Sequence, residues 1–215
     1  MIRVVRKPEP AGFEKMVRAP GRAFLAGCPN PTQKQWNTHS YWRKVLCDLH
    51  RAYGGICGYS CHWIPYDTGA DTVEHFKPKS RHPQDAYEWR NYRLVCQLLN
   101  SRKGDNEDIL DPFRVKNDWF TIEFPALLIK PAPGLPKALT ARINTTRDVL
   151  GLNDEATCMA TREQYVTDYC LGEIDFVHLQ KRSPFLALQM KKQGYDRLAE
   201  IRKVMNIHPP AQAGK

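Results

Sequence analysis

Two adjacent residues, Glu74 and His75, followed in order by Asn91, Asn100 and Lys103, have the types and spacing that could do chemistry. Hydrolysing a phosphodiester needs a base to take a proton from water. An imidazole titrates near working pH, so His75 suits that role. The reaction also needs a cation to offset charge on the phosphate and the leaving oxygen. Hard oxygen donors such as the Glu74 carboxylate and the Asn100 amide oxygen suit a divalent ion, Mg²⁺ or Mn²⁺. The amide of Asn91 can bond loop backbone on both sides and so hold His75 in one orientation, a positioning role. Lys103 lies three residues beyond Asn100, on the same face of a helix, where an ammonium could meet a phosphate oxygen. Lys79, with Lys77 and Arg81, follows the histidine and could do likewise. Singly, a Glu-His pair more often belongs to a surface strand; the ordered set carries the signal.

These residues must be positioned by short elements. The stretch reads TVEHFKPKS and then YEWRNYRLVCQLLNSRKGD. The spacing from His75 to Asn91 and from there to Asn100 predicts a strand over Thr72 to Phe76, a loop at Pro83 to Glu88, a second strand over Tyr92 to Cys96, and a helix starting at Leu98 to Arg102. Adjacent strand residues point to opposite faces, so Glu74 and His75 cannot both enter one site from a regular strand. The chain is therefore expected to bend or twist there.

The segment from Ile56 to Asp105 resembles the HNH endonucleases of the PtuB type, found in Septu and retron-associated anti-phage systems. Their pattern runs C-x-Y-C, EHF-x-PKS, W-x-N-L and C-x-x-CN-x-x-K. The matching pieces are Cys57 with Tyr59, Glu74-His75-Phe76, Pro78-Lys79-Ser80, Trp89 with Asn91, and Cys96 with Asn100 and Lys103. Looser similarity extends to the opening MIRVVRKPEP, to Leu110-Asp111-Pro112, and to the stretch from Thr146 to Asn153 with Arg162 beyond it. The resemblance implies a ββα-metal finger that cuts DNA and works beside an ATPase of the PtuA type in phage defence.

The chain departs from that pattern at one place. The family carries two C-x-x-C knuckles for a structural zinc, but here Ser60 and Leu99 stand where two of the four cysteines belong. Neither a serine hydroxyl nor a leucine replaces a thiolate at neutral pH, and structural zinc takes four Cys or His ligands. Cys61 and His62 could shift to supply the first half, but nothing nearby restores Leu99. The expectation is a degenerate knuckle without zinc, in which Leu99 packs in the core and Cys57 and Cys96 remain as neighbouring buried thiols. The resemblance places that ion away from the catalytic residues, so its loss leaves them intact.

Composition agrees with this reading. Lys+Arg 32 against Asp+Glu 23 gives a net charge of +9, which favours a polyanionic partner such as DNA through counterion release, although a bland basic surface gives the same figure. Seven cysteines, an odd number at scattered positions, make no dense disulfide framework and point to a reducing compartment. No signal peptide or run of apolar residues long enough to span a membrane is visible, so a bacterial cytoplasmic protein is expected. No Gly-rich phosphate loop is present, so ATP hydrolysis would have to come from a partner.

Three sections are expected, packed as one domain: a helical segment over 1–55, the finger over 56–105, and hairpin plus helices over 106–215. Apolar residues Trp42, Val45, Leu46, Leu49 and Tyr53 recur at helical spacing, predicting a helix within Thr32 to Tyr53 that Gly54-Gly55 ends. Trp119 to Phe124 and Ala138 to Ile143 alternate like two hairpin strands either side of KPAPGLPK. Arg162 to Cys170 and Tyr195 to Ile207 read as helices, and the terminal HPPAQAGK as a disordered tail. Cys61-His62 makes a poor nucleophilic dyad, and His39, His50 and His178 read as packing or surface residues. The fold class is α+β, a ββα-metal finger in a mainly helical setting. Two alternatives stay open: a binding module with a decayed finger, and a nuclease that cuts RNA.

Overall fold

The computed structural model describes residues 1–208. It is an α+β protein with two small antiparallel sheets among helices. β1 (Asp71–His75) pairs with β2 (Tyr92–Cys96), with Val73 opposite Leu94 and His75 opposite Tyr92. The chain passes straight from Cys96 into a helix, Gln97–Lys103. At that step the Gln97 amide donates to the Ala70 carbonyl at 2.7 Å, tying the helix start to the entry of β1. The two strands, their connecting loop and the helix that follows thus form the ββα unit that the spacing predicts.

Ahead of this unit lie α1 (Ala19–Gly27), α2 (Gln33–Thr38) and α3 (Leu46–Ala52), and the helix after β2 is α4. A π-helical turn at Glu14–Arg18 leads into α1. Gly21 of α1 lets the Tyr87 ring approach so closely that a Cβ there would lie 2.1 Å from it, fixing α1 against the β1–β2 loop. The helix expected within Thr32 to Tyr53 is broken into α2, a 3₁₀ turn at Tyr41–Val45, and α3. The cause is local: Thr38 donates its hydroxyl to the Lys34 carbonyl and Ser40 to that of Asn37. Such bonds offer the backbone an alternative to a continuous helix. Trp42, Val45 and Leu49 are nevertheless buried, as their spacing predicts, while Leu46 and Tyr53 are half-buried.

The C-terminal section differs from expectation in one element. β3 (Phe120–Glu123) forms close to its expected place, but its partner is β4 (Leu128–Pro131), with Ile122 opposite Ile129. Ala138 to Ile143 lies instead in the helix α5 (Lys137–Leu150), which starts after Pro136 and ends at Gly151 with φ +60°. Alternation over six residues was the misleading signal. Ile143, Thr146 and Leu150, buried at helical spacing, set the longer period. α6 (Ala160–Leu171), α7 (Phe176–Arg182), α8 (Pro184–Lys192) and α9 (Leu198–Met205) follow. α8 is bonded to the second sheet by Gln189, whose Oε1 accepts from Thr121 Oγ1 at 3.0 Å and whose Nε2 donates to the Phe120 carbonyl at 3.2 Å. The expected tail lies outside the described residues from Pro209 onward.

One cluster of buried side chains draws on all three sections, from Phe13 and Val17 through Tyr92, Leu94 and Leu99 to Ile143, Val166 and Met190. The finger therefore rests on a shared apolar base. Among the described residues no helix is long and apolar enough to cross a membrane.

Candidate active site

A cleft of about 520 Å³ opens beside the finger, and Glu74, His75, Lys79 and Asn100 all line it. Glu74 and His75 are adjacent, yet both reach it. His75 is the last residue of β1, where the ladder gives way to the loop and the Phe76 amide bonds to the Asn91 carbonyl.

His75 is held from behind. Its Nε2 donates to the Ala86 carbonyl at 2.9 Å, which fixes the tautomer and leaves Nδ1 as the unprotonated nitrogen. Trp42 and Tyr92 pack edge-on against the ring, with centroids 4.7 and 5.2 Å away. Burial, and after it the charge of Lys79, carries its pKa down to about 3. The imidazole is therefore neutral at working pH and free to accept a proton, but it does not titrate near working pH as expected: burial makes it a weaker base than an exposed histidine.

Asn91 stitches the loop closed. Its Oδ1 accepts from the Lys77 amide at 2.8 Å, and its Nδ2 donates to the carbonyls of Lys77 at 3.0 Å and Asp85 at 3.1 Å. The side chain is buried and does not line the cleft. Because Asp85 directly precedes Ala86, these bonds also fix the carbonyl that anchors His75.

Asn100 has its amide sense set by a relay. Thr72 donates its hydroxyl to the Val95 carbonyl at 2.7 Å, so the same oxygen accepts from Asn100 Nδ2 at 2.9 Å. That leaves Asn100 Oδ1 available as a hard oxygen donor. Thr72 was missed in the sequence, although its position two residues before Glu74 places it on the same strand face.

Glu74 is almost fully buried, and burial pushes its pKa up to about 7 against the opposing pull of Lys103, Lys79 and Arg93. Lys103 corrects an expectation. Its ammonium is turned inward, 2.6 Å from Glu74 Oε1 and 3.3 Å from the carbonyls of His75 and Gly104, and it does not line the cleft. A lysine at the end of a short helix can extend outward or fold beneath it, and here the buried carboxylate decides. Its approach meets the distance of an ion pair but not the line of a hydrogen bond, and Oε1 has no aligned donor. Lys79 lines the cleft, half-buried at its wall with its ammonium 5.7 Å from the Trp42 ring centre.

Over 119 residues the chain is 29% identical to the Septu protein PtuB of Bacillus thuringiensis, a stretch that makes up 54% of this chain and 45% of that protein. The chain thus spans less than half the length of that relative. No family model matches the chain.

The donors present fit a largely hydrated hard cation. Among the described residues no three His, Cys, Asp or Glu side chains converge to hold a metal ion. A carboxylate and an amide oxygen, with Asp71 and Asp105 also on the cleft wall, suit an ion such as Mg²⁺ that keeps several waters and takes one or two protein ligands. The poorly satisfied Glu74 carboxylate is the specific feature that a cation would stabilise.

The knuckle residues lie elsewhere. Cys57 and Cys96 face each other with sulfurs 4.0 Å apart, beside a hollow of about 210 Å³ that Ser60, His62, Leu99 and Cys158 also line. Leu99 is fully buried, occupying its expected core position. Cys158, brought in by the turn before α6, was missed because its contact with this pair is purely tertiary. Burial acts upward on Cys57, yet hydrogen bonds from Cys96 and Ser60 together draw its pKa down to about 6.

Proposed function

We propose that this chain is a metal-dependent HNH-type endonuclease that hydrolyses DNA as the nuclease effector of a Septu-type anti-phage system, with a PtuA-type ATPase as its partner. The observation that carries the chemistry is the anchored His75. With Nε2 held by Ala86, Nδ1 is left free to accept a proton on a residue that lines the cleft together with Glu74, Asn100 and Lys79. The similarity to a Septu PtuB protein supports the biological setting.

In this mechanism His75 takes a proton from water onto Nδ1 as the water oxygen attacks phosphorus, and the bond from phosphorus to the leaving sugar oxygen breaks. The Ala86 carbonyl, already accepting from Nε2–H, favours the imidazolium that results. Glu74 and Asn100 would hold the divalent ion, Mg²⁺ or Mn²⁺, which when bound offsets charge on the phosphate and the departing oxygen. Lys79 positions a phosphate oxygen, and Asn91 keeps the loop in register without touching substrate. Contacts of this kind go to the backbone and carry no sequence information. Selectivity then comes from the partner.

The test is cleavage of plasmid DNA and of matched RNA with Mg²⁺ or Mn²⁺, with and without the ATPase, comparing wild type with His75→Ala of equal folded content. Metal-dependent DNA cutting that His75→Ala abolishes is the expected result. RNA cutting in its place would move the substrate class. No His75-dependent cutting of any substrate with partner and metal present would leave a binding module as the better account.

A further inference from the structure

The cleft is poorly suited to attract a polyanion by itself. Two cations, Arg43 and Lys79, line it against three carboxylates, Asp71, Glu74 and Asp105. That balance suits a metal ion, and it leaves the affinity for a nucleic-acid backbone to be supplied by other residues.

A larger groove, of about 820 Å³, has the opposite balance: six cations line it against three carboxylates. Internal pairing removes only part of this charge. Asp85 is shared by Lys77 at 3.0 Å and Arg90 at 3.1 Å, so two cations divide one carboxylate. Asp111 is taken by Arg93 at 2.9 Å, and Glu107 turns to Arg81 and His82, outside the groove. Arg6, Arg114 and Arg142 are exposed and have no carboxylate within ion-pair distance among the described residues. Three guanidiniums and the surplus over Asp85 therefore face a single hollow. Arg6 and Arg90 also line a neighbouring hollow with Lys7, so the basic surface continues beyond it.

The groove adjoins the cleft through the chain itself. His75, Pro78 and Lys79 line the cleft, whereas Phe76 and Lys77 line the groove. His75 and Lys77 are two residues apart, at most about 7 Å of chain, comparable with about two nucleotides of rise along a strand at ~3.4 Å each. Arg114 follows β2 and α4 in sequence, and Arg142 lies on α5, so elements outside the finger build the far wall.

We propose that this groove, lined by Arg6, Arg114 and Arg142, is a phosphate-backbone binding site for nucleic acid, separate from the catalytic cleft and leading a strand into it. It rests on the nuclease reading only for where the strand goes next. The binding itself depends on neither metal nor His75.

The experiment measures binding of a fluorescently end-labelled DNA oligonucleotide by anisotropy in EDTA across a salt series, so that no cutting intervenes. Arg114→Glu/Arg142→Glu is compared with wild type, with His75→Ala, and with Lys181→Glu/Lys191→Glu, which makes the same charge change at exposed positions outside the groove. Melting curves establish that all are folded. The groove variant is expected to bind at least tenfold more weakly, with a log-log salt slope shallower by about 1.5, the share of two lost phosphate contacts. The other two variants should stay near wild type. Equal binding by the groove and Lys181/Lys191 variants would overturn the groove while leaving any His75-dependent cutting intact. Loss of binding in the groove variant alone, with no cutting by wild type under any condition, would uphold the groove and remove the nuclease reading.

Discussion

Lys103 places its ammonium 2.6 Å from Oε1 of Glu74, and both residues are buried, Glu74 at the cleft wall and Lys103 behind it. Desolvating two charges is costly, and a buried pair of this kind is weak evidence for net stability, but removing one partner strands the other. Lys103→Met should cost about 3–5 kcal/mol in urea unfolding, because Glu74 loses the nearest charge that opposes its burial. The double variant Lys103→Met/Glu74→Gln should recover much of that stability and none of the cleavage. Equal stability of Lys103→Met and wild type would show that the pair contributes nothing.

The Asn91 amide is a second point at which geometry predicts loss without touching substrate. Asn91→Asp swaps a donor to two carbonyls, those of Lys77 and Asp85, for a second acceptor. Each buried group left unsatisfied costs about 1–3 kcal/mol. Cleavage should fall in kcat, while the metal concentration needed for half-maximal activity is unchanged, since Glu74 and Asn100 are not displaced. A change confined to that metal concentration would place Asn91 with the ligands instead.

How much of this was legible in the sequence follows the range of the interactions. β2 forms over Tyr92–Cys96 as expected and α4 begins one residue early, because tight spacing leaves a strand, loop, strand and helix little choice. The inward turn of Lys103 was not legible, since helical spacing gives its face but not whether a buried carboxylate waits beneath. The same limit hid Cys158 beside Cys57 and Cys96. Ala138 to Ile143 failed differently: a window of six residues fits both periods, and the helical one emerges only when Thr146 and Leu150 are included.

Thr72 sets the sense of the Asn100 amide, and its removal should be felt as a metal effect. Thr72→Val keeps the shape but removes the acceptor for Asn100 Nδ2, freeing the amide to turn its nitrogen toward the cleft. The metal concentration for half-maximal cleavage should rise severalfold, and Thr72→Ser, which keeps the hydroxyl, should restore it. If serine and valine behave alike, the hydroxyl relay plays no part.

His62 carries the pH prediction. Burial, followed by the charge of Arg162, lowers its pKa from 6.5 to about 3, and its Nε2 has no partner among the described residues. The folded state thus binds a proton less readily than the unfolded one. Stability from this group is fully present above the unfolded value of 6.5 and is lost as pH falls toward 3. The decline should reach at most about 1.4 kcal/mol per pH unit. His62→Gln cannot take up that proton, so its stability should fall less steeply between pH 6 and 4, by roughly one proton's worth of slope. Urea midpoints across that range check the difference, and parallel curves for the two proteins would mean that His62 does not titrate between the folded and unfolded states.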